Sequence, residues 1–129
     1  MPHSLHRWRT HESDQHAHGQ YHRPKALLQA IRGGIGAVPP RIKTWKEDSF
    51  SIGEKAVSGF THTGDQEHFR GLAWLVPEVK PGALVLTLIF KKTTPVEDRK
   101  GLRGVYLGRF AEMLIGHFME QITDIKITD

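Results

Sequence analysis

The sequence predicts an α+β fold: a short N-terminal helix, a four-stranded antiparallel sheet with a fifth, C-terminal strand as an option, and a long C-terminal helix packed on the sheet. Three observations carry that expectation. Between residues 94 and 122, Leu102, Val105, Tyr106, Phe110, Met113, Leu114, Phe118 and Ile122 recur at spacings of three and four, with His117 among them. That is the period of one buried helix face. Between residues 41 and 92 the pattern shortens to alternation interrupted by polar, glycine and proline turns, as hairpin-linked strands require. Within it, Leu84, Leu86, Leu88 and Phe90 alternate with Val85, Thr87 and Ile89, so this strand is apolar on both faces and belongs inside a sheet or under a cover.

Residues 1–23 read as a flexible tail. They hold six of the nine histidines, with Arg7, Arg9 and Arg23 and few apolar side chains beyond Trp8 and Tyr21. Such a segment buries too little apolar surface to offset the entropy of ordering it. The single α+β domain is then expected over residues 24–129. Pro24 opens a short helix in which Leu27, Leu28 and Ile31 share a face, and Gly33, Gly34 and Gly36 stop it. Pro39 and Pro40 enforce an extended exit. Strands follow over residues 41–45, which a turn-rich patch at 46–49 separates from 50–52, and then over 55–61, 68–76 and 83–90. The helix beyond them starts at Thr94-Pro95-Val96-Glu97, which has the form of a capping box with proline at the first helical position. Ile125-Lys126-Ile127 alternates like a short last strand.

Composition excludes several classes. With no cysteine there is no disulfide, thiolate metal site or thiol nucleophile, which fits a cytoplasmic protein. No apolar run is long enough to span a bilayer, and no apolar segment follows Arg7 and Arg9 as a signal peptide would need. A net charge of +4 admits anionic partners but is spread along the chain, so it points only weakly to nucleic acid.

Four groups could carry chemistry. His117 lies on the apolar stripe, where it reads either as a core imidazole or as a neutral base at a pocket floor; the stripe favours the sealed core. Near it, Arg109 and Glu112 are three residues apart and form a helix-surface pair, unless Glu112 turns into a groove as a general base. The loop from His62 to His68 offers His62, Asp65 and His68, with Glu67 between them, as nitrogen and oxygen donors for a divalent metal, with His117 as a further ligand. The spacing is no established zinc pattern, and a polar hairpin turn looks the same. Lys91, Lys92, Arg99, Lys100 and Arg103 form a basic cluster ahead of the long helix, able to meet phosphate or nucleic acid, although no phosphate-cradling loop motif accompanies it. Gly104, Gly108 and Gly116 make a small-residue seam beside the stripe. At about 1 kcal/mol of helix propensity each, they call for a compensating close approach by the sheet or by a second copy of the chain.

No complete catalytic constellation or nucleotide motif emerges. The leading expectation is therefore a non-enzymatic protein-interaction module of accessory, inhibitor or immunity type, probing another protein or itself as a homodimer and needing no cofactor. The alternatives are a nucleic-acid or polyanion binder using the basic loop and the cationic tail, and a small metal-dependent or acid–base enzyme using His62, His68 and His117.

Overall fold

The computed structural model describes residues 5–10, 19–64 and 70–128, with side chains described over 21–64 and 70–125. In chain order the elements are β1 (Leu5–Thr10), α1 (Gly19–Gly36), β2 (Trp45–Ile52), β3 (Lys55–His62), β4 (Ala73–Lys80), β5 (Ala83–Phe90), α2 (Arg99–Phe118) and β6 (Ile122–Thr128). The six strands form one antiparallel sheet in the order β2-β3-β4-β5-β1-β6. The expected α+β architecture is present: an N-terminal helix, the four-stranded meander from β2 to β5, a C-terminal strand and a long helix packed on the sheet. A sixth strand comes from within residues 1–23. β1 pairs with β5 on one side and β6 on the other.

Alternation explains why the core lies on one face. Phe60 pairs with Leu75 and Leu75 with Leu88, so these three project together, and Leu84 and Leu86 extend the same row along β5. Against it α1 places Leu27 and Ile31, and α2 places Tyr106, Phe110 and Leu114, all fully buried. Ring contacts from Phe110 to Phe60 (5.8 Å) and to Trp45 (4.9 Å) seat α2 over β2 and β3. A bidentate pair from Arg32 to Glu47, reinforced by the Ser58 hydroxyl donating to Glu47 at 2.6 Å, ties α1 to β2 on this same face. On the opposite face Phe50 stacks on Trp74 at 3.9 Å across Gly59, where a Cβ would sit 3.0 Å from Trp74 Cβ.

Several local expectations shift. α1 begins at Gly19, runs through Pro24 and contains Gly33, Gly34 and Gly36 instead of stopping at them. The role of Gly34 is close approach: a Cβ there would meet Ile42 Cδ1 at 2.7 Å, and its carbonyl accepts the amides of Arg41 and Ile42. Thr94 is no helix cap. Its hydroxyl donates to the Leu72 carbonyl at 2.9 Å, a 3₁₀ turn (Val96–Asp98) follows, and α2 starts at Arg99. α2 ends at Phe118, so Ile122 belongs to β6 and not to the helical stripe. Among the described residues no helix is long and apolar enough to cross a membrane.

Candidate functional site

The glycine that admits Ile42 also determines where the next segment runs. Held against the end of α1, the chain from Ile42 to Trp45 faces the C-terminal half of α2 across a groove of about 480 Å³. Two bonds fasten this wall to the end of β3: the Thr63 amide donates to the Thr44 carbonyl at 2.7 Å, and the Thr63 hydroxyl to the Lys43 carbonyl at 3.3 Å. α2 supplies the opposite wall with Arg109, Glu112, Met113, Gly116 and His117. Ile42, Trp45 and Met113, each almost fully buried, contribute edges to the floor.

His62 sits at the inner end. It is 5% exposed and lies edge-on to Trp45, with ring centroids 5.1 Å apart. Its Nδ1 accepts the Gly64 amide at 3.3 Å, which leaves the proton of the neutral ring on Nε2. Gly64 is needed here because a Cβ would strike the imidazole at 2.6 Å. Burial lowers the His62 pKa from its ordinary 6.5, and the Arg109 guanidinium lowers it further. Arg109 itself is half-exposed and bonds Glu112 at 3.2 Å. Among the described residues the groove thus combines a buried neutral imidazole, the cations Lys43 and Arg109, one carboxylate already paired, and the exposed His117.

His117 overturns the sealed-core expectation. It is exposed, because the α2 face it shares with Phe110 and Met113 opens at that point into the groove. It also borders a second cavity of about 560 Å³ that reaches Gln29 and Gly33 of α1. Among the described residues the buried histidine is His62, which the sequence pattern assigns to a loop. Extending the 55–61 strand by one residue puts His62 on the same face as Phe60, and that alternation is the signal that would have found it.

The other expected groups fall elsewhere. Asp65 and His68 lie outside the described residues, and among the described residues no group of three histidine or carboxylate side chains could hold a metal. The basic cluster is partly engaged within the chain. Lys91 Nζ lies 5.3 Å from the Trp74 ring, and Arg99 lies 5.5 Å from the Phe90 ring and donates to the Thr94 carbonyl, while Lys92 and Lys100 are exposed. Gly104, Gly108 and Gly116 are exposed, with nothing within 4 Å of a Cβ at any of them. Among the described residues, then, nothing of the sheet packs on the seam. Lys43, Thr44, Trp45 and Gly64 are site residues that sequence reasoning missed as such, since they join the groove only through tertiary contacts. No protein-family model, curated protein or solved structure matches the chain.

Proposed function

We propose that the protein is a non-enzymatic interaction module that associates with a second copy of itself through the outward side of α2, in the cytoplasm. The observation that carries this reading is the composition of that side. Gly101, Gly104, Gly108, Ile115 and Met119 fall together at helical spacing. Among the described residues none of the three glycines has an atom within 4 Å of a Cβ, while Ile115 and Met119 are 51% and 69% exposed. A solvated helix face has no use for three residues that each cost about 1 kcal/mol of helix propensity, nor for two exposed apolar side chains beside them. The pattern is also directional: the notches lie in the N-terminal half and the knobs near the C-terminus. Antiparallel pairing about a two-fold axis would seat Ile115 and Met119 of each copy over Gly104 and Gly101 of the other, whereas parallel pairing would set knob against knob.

Sedimentation velocity tests this. Dimer is expected at high micromolar concentration. Gly104→Leu, which fills a notch, is expected to yield folded monomer, with a melting temperature no lower than that of the wild type at dilutions where the wild type is also monomeric. Wild-type protein that sediments as monomer throughout would end the proposal.

A further inference from the structure

We propose that the groove between α2, the end of β3 and the 42–45 segment binds a small organic anion, a carboxylate or phosphate carried on an apolar body. The charge balance selects the sign. Among the described residues Lys43, Arg109 and Glu112 are the charged side chains of the lining, and with Glu112 paired to Arg109 a cation remains in excess. The buried end adds a neutral donor. With Nδ1 occupied by the Gly64 amide, His62 has its N–H at Nε2, and a neutral donor next to two cations suits an oxyanion. Size selects the body. A groove of about 480 Å³ lies in the range of small-molecule sites and is too large for a bare oxyanion. Its floor of Ile42, Trp45 and Met113 offers apolar contact. The walls are pre-formed: Gly34 seats Ile42, Thr63 pins residues 43 and 44, and Gly64 closes on His62. The ordering that binding requires then falls on the Lys43 and Arg109 side chains.

The inference makes opposite predictions for two partners in one ion pair. Arg109 can swing from Glu112 to a ligand, so Glu112 competes with the anion for the guanidinium. NMR titration of the full-length protein would use benzoate, phenyl phosphate, benzamide and inorganic phosphate as probes, reading the Trp45 indole and the His62 ring. Both aromatic anions are expected to shift these signals. Arg109→Gln is expected to weaken them about tenfold, the effect of losing one charge-assisted hydrogen bond, and Glu112→Gln to tighten them. Both side chains are half-exposed or more, so neither variant threatens the fold. Binding of benzamide as tightly as benzoate, inorganic phosphate as tightly as phenyl phosphate, or weaker binding in Glu112→Gln would each overturn the proposal. So would the absence of any shift at Trp45 and His62.

Discussion

His62 and Arg109 are coupled through the groove, and the coupling has a sign that can be read in solution. Burial acts first and the guanidinium second, both favouring the neutral ring. The His62 signal is therefore expected to titrate below 6.5, and Arg109→Gln to move its pKa back towards 6.5, as followed by NMR. The folded state then binds fewer protons than the unfolded chain in this range. The contribution of neutral His62 to stability is full above about pH 6.5, the unfolded value, and is lost as the pH falls from there through the lowered folded pKa. Residues divide sharply by how much of this the sequence reveals. Arg109 and Glu112 are legible as a pair because a helix fixes their spacing. His62 and His117 exchange roles, because burial depends on where a strand ends and where a helix face loses its cover. Gly108 gives the second prediction at this scale. Among the described residues a Cβ there meets nothing within 4 Å, so Gly108→Ala is expected to stabilise the monomer by about 1 kcal/mol, or about 4 °C in Tm. Thermal unfolding at dilute concentration measures it.

At the scale of elements, α2 is held less by its own ends than by what it touches. Its expected capping box is replaced by a connection to Leu72, in the bend just before β4. Thr94 donates to the Leu72 carbonyl, which also accepts the Lys91 amide, while the Leu72 amide donates to the Tyr106 hydroxyl at 3.0 Å. Tyr106 is fully buried and also lies edge-on to Trp45 at 5.8 Å. Tyr106→Phe keeps the ring but leaves the half-buried Leu72 amide without its acceptor, and is expected to cost roughly 1–3 kcal/mol in urea unfolding. The helix body was legible because Leu102, Tyr106, Phe110, Met113 and Leu114 keep one period over four turns. Its start was not, because Thr94 spends its hydroxyl on a residue more than twenty positions earlier, a contact no local pattern encodes.

For the whole molecule, the decisive long-range feature is the insertion of β1 between the meander and β6. β5 was legible as a covered central strand from its two-sided apolar pattern, and Val85 on its outward face is indeed only 4% exposed. What completes the sheet beside β5 was hidden, since Leu-His-Arg-Trp-Arg-Thr carries only Leu5 and Trp8 as apolar residues and reads as part of a histidine-rich tail. Strand pairing supplies what side-chain composition withholds: each backbone amide and carbonyl of β1 has a neighbouring strand to bond, whatever its side chains. The order of the sheet makes the consequence calculable. Without β1, β6 loses its strand neighbour and β5 becomes an exposed apolar edge. Deleting residues 1–10 is therefore expected to lower the melting temperature by more than about 5 °C, on the order of 1 kcal/mol or more for a domain of this size. It should also release β6, so that the amides of residues 122–128 lose hydrogen-exchange protection while those of β3 and β4 keep theirs. An unchanged melting temperature together with protected β6 amides would show that the sheet closes without β1, and that residues 1–10 contribute nothing to the fold.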